Sequence, residues 1–303
     1  CALAAITGTA VHLRNIRARR SPPGLAPQHL MAVQAVAELS GAQVENLALR
    51  SSEIVFRPGP LRGGSFRFDV GTAGAVTLVL QACLPVAVSG PAPVSMIITG
   101  GTDVRAAPAL DYFRFVFLPL LERLGLEVTL DVKRRGYYPR GGGEIEVRVT
   151  PGARPEPLRL EAPGALRKIE GLAHCANLPA HIAERMRRAA LHGLAPYPAE
   201  IDTRVLARSE AIGPGGAIVL WARREHALLG AGAVAERGEP AEHLGERAAR
   251  ELCAEIESGA TLDVHAADQL LVYLALAQGD SHFLVRELSS HARTKLWVLE
   301  QFL

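Results

Sequence analysis

His291 follows Ser289 and Ser290 at what reads as the first turn of a helix running to Phe302, a place where an imidazole can act as a nucleophile. The partial positive charge of a helix N-terminus disfavours an imidazolium and so favours the neutral ring. The competing reading makes Ser289 or Ser290 the N-cap and His291 a bystander in the first turn. Near the other end, Arg14-Asn15-Ile16-Arg17-Ala18-Arg19-Arg20 leads into a Pro/Gly loop, after which Gln28 and His29 open a helix. Guanidinium forks such as Arg17 and Arg20, facing helix N–H groups, suit a phosphate. The run Arg135-Gly136-Tyr137-Tyr138-Pro139-Arg140-Gly141-Gly142-Gly143 admits two readings. It is either the turn of a hairpin between 126–132 and 144–149, or a cradle whose glycine N–H groups converge on an anion. Arginine beside paired glycine recurs at 57–67, and Gly100-Gly101-Thr102-Asp103 closes another strand-like stretch. Such loops at strand ends are where α/β proteins usually hold their substrates.

The elements that must position these groups repeat. Apolar residues at helical spacing over 28–39 give way to short strands at 44–49 and 54–57, and the same order recurs as a helix over 110–124 with strands at 126–132 and 145–149. A strand at 94–99, preceded by a helix over 74–86 with Thr72 as N-cap, stands before the second of these helices. A third copy reads as a helix at 266–278, a strand at 282–286 and a helix at 291–302. The economical description is an α+β protein of three repeated βαβαββ units forming a large domain. Its outer ends read as missing, because the first copy opens on a helix ending near Ile6 and the last stops at Leu303. The stretch 163–258 departs from the plan, with strands near 167–173, 203–207, 217–222 and 227–233 and helices over 180–192 and 241–256. It reads as a smaller inserted α+β domain, leaving 1–162 and 259–303 to the large repeat-built one.

Composition narrows the function classes. The 303 residues are 49% hydrophobic and 21% charged, enough for a substantial core, and a net charge of +2 excludes a uniformly basic polyanion binder. Any nucleic-acid contact must be local. The four cysteines are scattered without a C-x-x-C pair, so neither a zinc site nor a disulfide framework is expected and a reducing compartment is. No apolar run approaches the roughly 20 residues of a membrane span and no signal segment opens the chain. The expectation is a soluble, cytoplasmic protein.

Together these motifs resemble the RNA 3′-terminal phosphate cyclase family, nearly end to end. The resemblance is carried by Ile16-Arg17, Pro23-Gly24-Leu25, Gln28-His29-Leu30, Phe56-Arg57-Pro58-Gly59, Arg62-Gly63-Gly64, Gly71-Thr72-Ala73-Gly74, Gly100-Gly101-Thr102-Asp103 and Gly136-Tyr137-Tyr138-Pro139. Ala267-Asp268-Gln269-Leu270 and Ser290-His291 with Thr294 complete it. It implies ATP-dependent conversion of an RNA 3′-phosphate to a 2′,3′-cyclic phosphate, with Mg²⁺ or Mn²⁺, through a covalent histidinyl-AMP on His291 and release of pyrophosphate and AMP. It also implies nucleotide-binding roles for Pro108, His265, Asp268 and Gln269, and phosphate or RNA contacts for Arg17, Arg20, Gln28 and His29. His265 stands where the family tends to place an aromatic ring. The family's upstream Glu-Gly-Gly-Gly-Gln, with its metal-binding carboxylate, has no counterpart here, so that ligand is expected upstream of residue 1. Two other readings are weighed: a noncatalytic cyclase-like ribosome-assembly factor, whose hallmark is loss of the histidine, and an enolpyruvyl transferase, which leaves Ser290-His291 and the Gly136–Gly143 run unexplained.

Overall fold

The computed structural model describes residues 1–152 and 154–303. The first repeat comprises helix α1 (Ala2–Thr7), strand β1 (Val11–Leu13), helix α2 (Pro27–Leu39) and strands β2 (Gln43–Glu45) and β3 (Ile54–Arg57). Pro27 opens α2, where its missing N–H costs no hydrogen bond, and Ala35, Val36 and Leu39 are buried. Strand β2 stops short of the expected residue 49 because Asn46 turns the chain through a left-handed conformation, φ 59°.

The second repeat is complete: β4 (Gly64–Asp69), α3 (Val76–Val88), β5 (Val94–Gly100), a helix, β6 (Glu127–Gly136) and β7 (Gly143–Thr150). Its second helix starts as α4 (Leu110–Tyr112), passes through a π-helical turn (Phe113–Phe117) and ends as α5 (Leu118–Arg123). The strands lie in the order β6-β7-β5-β4, with β4 parallel to β5 and the other neighbours antiparallel. The first repeat's strands lie in the order β1-β3-β2, which matches β5-β7-β6 position for position. Sheet order thus bears out the repeated unit that periodicity suggested.

Two local expectations are corrected here. Strand β4 occupies part of what read as an arginine–glycine loop, because alternate Phe66 and Phe68 face the core while Ser65, Arg67 and Asp69 stay exposed. Thr72 does not cap α3; its hydroxyl accepts from Gly74 N at 3.1 Å in a local turn, and the helix starts three residues after Ala73 on an Ala75 N-cap.

Residues 166–257 form a second layer: β8 (Leu166–Ala176), α6 (His181–Gly193), β9 (Ala199–Leu206), β10 (Ala211–Ile212), β11 (Gly215–Arg224), β12 (Leu228–Val234) and α7 (Ala241–Glu257). Their four-stranded sheet has the order β12-β11-β8-β9, and α6 and α7 cover it around a core of Ile169, Met186, Ile218, Leu220, Leu244 and Leu252. Strand β10 instead pairs in parallel with β6 and extends the second repeat's sheet. The third repeat contributes α8 (Val264–Leu276) and α9 (Ser290–Leu299). No strand forms at 282–286; His282 makes a single bridge with Arg159. Its counterparts β1 and β5 pair with a strand that follows the second helix of their repeat, and among the described residues none follows α9.

The two layers meet over a buried ionic cluster. Arg135 of β6, 5% exposed, donates from Nη1 to Asp103 Oδ2 at 2.9 Å and from Nη2 to Asp111 Oδ1 at 2.6 Å. His174 of β8 brings Nδ1 to 3.4 Å from Asp111 Oδ2, without hydrogen-bond alignment. Burial disfavours the Asp111 carboxylate, but its contact with His174 and the Arg135 charge outweigh that and hold the group well below the usual range. Tyr137 lies over Gly215, where any Cβ would run into its ring. Phe115 stacks on Trp221 at 4.5 Å, a further contact between the layers.

Candidate active site

A cavity of about 590 Å³ opens between the repeats and the second layer. One wall is the loop Val104–Ala109, which β5 delivers to the edge of its sheet; the floor is α3, through Leu78 and Gln81. Helices α8 and α9 form the next wall with His265, Asp268, Gln269, His291 and Lys295, and Gly232–Val234 of β12, Glu236 and Arg247 of α7 close the far side. Five residues singled out in the sequence therefore meet here: Pro108, His265, Asp268, Gln269 and His291.

Local capping explains why they meet. Asp263, fully buried, caps α8 by accepting from His265 N at 3.0 Å and Ala266 N at 2.9 Å. The same carboxylate accepts from Tyr112 Oη at 2.6 Å and Gly230 N at 2.9 Å, so α4, β12 and α8 are fastened at one point. Burial pushes the Asp263 carboxyl up, and four donors offset the cost of enclosing it. Ser289 caps α9 by accepting from Ala292 N at 3.0 Å while donating its hydroxyl to Asp268 Oδ1 at 2.7 Å. Lys295 Nζ donates to Asp268 O at 2.7 Å. Asp268 thus anchors α9 to α8 and sets His291, which is exposed, at the cavity wall. Of the two serines, Ser289 is the cap and Ser290 the first helical residue, which puts His291 second in the helix.

The electrostatics favour an anionic or polar guest. Burial lowers the Lys295 ammonium, an effect that the neighbouring Asp268 opposes. Gln269 Oε1 is buried without a partner, a free acceptor in the cavity wall. Thr77 Oγ1 donates to Pro108 O at 3.1 Å and fixes the proline against α3. His265 Nε2 lies 3.0 Å from Glu251 Oε1, and that hydrogen bond raises the imidazole from 6.5 to about 9. The ring at this position is therefore a cation at neutral pH, set edge-on to Tyr112 at 6.3 Å. Because its bound-proton form is favoured by folding, the stabilisation is full below about 6.5 and fades as pH climbs through about 9. We expect the melting temperature of the parent protein to fall across that alkaline interval and Glu251→Gln to flatten the fall; identical alkaline limbs in the two proteins would refute the assignment.

Arg17, Arg20, Gln28 and His29 do not line this cavity. Arg17 Nη1 donates to Pro22 O at 3.0 Å and Gly24 O at 2.8 Å, closing its own loop, and Arg20 is exposed. His29 is lowered by burial and then by the Arg17 charge, with Nδ1 buried and unpartnered. Gln28 lies against Gly74, where a Cβ would come within 3.0 Å of its Oε1, and Gly74 O accepts from Gly101 N at 2.8 Å. This second group borders the turn that leads into α3 and so into the cavity floor. The triple glycine forms the hairpin turn and not an open cradle: Gly141 N donates to Tyr137 O at 2.8 Å, and its bare Cα admits Thr72 O to 2.5 Å of where a Cβ would stand.

Sequence reasoning missed Asp263, Glu251, Arg247 and Lys295. Asp263 was legible as an N-cap two residues before His265; Arg247 and Glu251, on a helix in the second layer, left no local signal. Among the described residues no group of three or more His, Cys, Asp or Glu side chains could hold a metal ion, all four cysteines are free, and no helix is long and apolar enough to cross a membrane.

A family model described as RNA 3′-terminal phosphate cyclase matches residues 1–303. An RNA 3′-terminal phosphate cyclase of Nitrosospira multiformis is 58% identical over 303 residues, covering 100% of this chain and 86% of that one. Relatives of the same name from Pyrobaculum neutrophilum and Methanopyrus kandleri are each 44% identical, covering 100% and 99% of this chain and 87% of theirs. The chain belongs to the RNA 3′-terminal phosphate cyclase family.

Proposed function

We propose that this protein is an enzyme that converts an RNA 3′-terminal phosphate to a 2′,3′-cyclic phosphate with consumption of ATP. What carries the reading is the convergence of His291 with Pro108, His265, Asp268 and Gln269 on one cavity. A phosphate monoester is a poor electrophile toward its own neighbouring hydroxyl, because its oxygens are poor leaving groups. In the first step a His291 nitrogen attacks the α-phosphorus of ATP; the P–N bond forms, the bond to the bridging oxygen breaks, and pyrophosphate leaves. The RNA 3′-phosphate oxygen then attacks the same phosphorus and releases His291, which gives an activated RNA–AMP anhydride. Finally the vicinal 2′-OH attacks the RNA phosphorus, its proton is lost, and AMP departs.

In this scheme Pro108 and the protonated His265 border the adenine, and the unpartnered Gln269 Oε1 suits a donor on the nucleoside. Lys295, beside Asp268, faces charge developing on the phosphates. Arg17, Arg20, Gln28 and His29 serve the RNA end from beyond the α3 turn. Mg²⁺ or Mn²⁺ would neutralise phosphate charge. Residues 163–258 act as an inserted domain against the body formed by 1–162 and 259–303, supplying one wall of the nucleotide site. Four free cysteines suit a cytoplasmic location.

The test is incubation with ATP, Mg²⁺ or Mn²⁺ and a 3′-phosphorylated RNA. The terminal phosphate should become resistant to phosphatase, with AMP and pyrophosphate formed in equal amounts. An RNA end that stays fully phosphatase-sensitive at stoichiometric enzyme rejects the reading in favour of a noncatalytic relative.

A further inference from the structure

The hairpin tip Tyr138-Pro139-Arg140 has no part in the scheme above, and its construction is unlike a simple turn. Tyr137 is 3% exposed, whereas its neighbour Tyr138 is 79% exposed, the largest exposure of any large apolar side chain among the described residues. The core gains nothing from that ring. Arg140 beside it is exposed too, and Arg134 at the hairpin base donates to Gly142 O at 3.2 Å. Among the described residues no carboxylate pairs with Arg134 or Arg140, nor with Arg14, Arg17, Arg19 or Arg20, although fourteen other arginines have such partners. The positive charge along these two loops is left uncompensated.

The loops are continuous. Gln28 at the end of the first basic loop touches Gly74; Thr72 and Ala73 of the same turn touch Gly141; Arg140 lies beside Gly213, whose carbonyl accepts from Asn177 Nδ2 at 2.8 Å. The strip is joined to the loop that forms the cavity wall. Asp103 and Tyr137 form a parallel bridge, so Tyr138 and Val104 of the cavity wall each follow directly on a paired residue.

An exposed flat ring flanked by unpaired arginines, on a groove of loops, matches the way proteins hold unstacked single-stranded nucleic acid. We propose that Tyr138 stacks on a base of the RNA's 3′-terminal segment and that Arg140 holds the adjoining backbone phosphate, so that the terminal phosphate is presented to the His291 cavity. This rests on the cyclase reading of the previous subsection and adds to it the path of the RNA strand.

The experiment measures KM for a 3′-phosphorylated single-stranded RNA at saturating ATP, and separately the rate at which enzyme and ATP alone form the covalent adenylate. Tyr138→Ala should raise KM for RNA about tenfold, the scale of one lost base–aromatic stack, while Tyr138→Phe keeps it. Arg140→Ala should lower the slope of log KM against log salt by about one. Adenylate formation should proceed at the parent rate in all three, which also reports intact folding. A KM for Tyr138→Ala within twofold of the parent overturns the RNA path while leaving the cyclase reading standing. Failure of the parent protein itself to cyclise RNA removes the reading on which the path rests.

Discussion

His291→Ala is expected to abolish transfer of label from α-labelled ATP to the protein and to slow cyclisation by at least roughly 10⁴-fold, on the scale seen when a covalent nucleophile is deleted. The side chain is exposed and the cap of α9 is Ser289, so the substitution removes the imidazole without disturbing the helix start. Melting should stay within about 1 °C of the parent, since an exposed change of this kind alters stability by only a few tenths of a kcal/mol. The adduct on the parent protein should be labile in acid and stable in alkali, as a P–N bond is. Equal labelling of parent and variant would remove His291 from the chemistry and with it the first step of the scheme.

The largest effect on stability is expected at Arg135. Arg135→Ala leaves Asp103 buried without its cation and Asp111 with only the half-buried Arg114, at 3.2 Å, and removing one partner of a buried pair costs about 3–5 kcal/mol. Denaturant midpoints should fall accordingly with little change in slope if the two layers still unfold together. A loss below about 1 kcal/mol would show that the buried ion pairs contribute little to the fold. Asp111 gives the pH counterpart. Its carboxyl is held well below the usual range, so its contribution is present above about 3.8 and is lost as pH drops toward the folded-state value. Acid unfolding should therefore begin at the contact between layers.

The repeat and the site were legible to different degrees. Apolar spacing over 28–39 and 110–124 located α2 and the α4–α5 helix, because a one-sided helix must show its period to bury one face. The strand pair at 126–132 and 145–149 followed from the glycine punctuation between its members. Strand β4 was hidden by its arginines and glycines, and the absent strand at 282–286 shows the converse: apolar alternation at Phe283 and Val285 makes no ladder without a neighbour to pair with. For the site, His291, Pro108, Asp268 and Gln269 were found by motif, yet the motif did not show that Asp268 spends its carboxylate on Ser289. His265 was placed as a stacking surface, and only the approach of Glu251 from α7 reveals it as a cation. Long-range partners of this kind, 14 residues apart for His265 and 32 for Arg135 with Asp103, have no signature in local spacing.

The junction of the two layers, where His174 approaches Asp111, also bears on how the proposed scheme would admit a nucleotide. Beside the cluster the 166–257 segment is tied to the repeats by β10, which pairs with β6 and whose neighbour Glu210 O accepts from Arg135 N at 2.7 Å, so a swing of one layer against the other would have to break that ladder. The far wall of the cavity, with Arg247 and Glu236, then works as a stationary jaw. In the proposed scheme the parts of the slot free to adjust to a nucleotide are the side chains at its lip, where Arg105 meets Glu236 at 3.3 Å in an exposed pair that breaks at little cost.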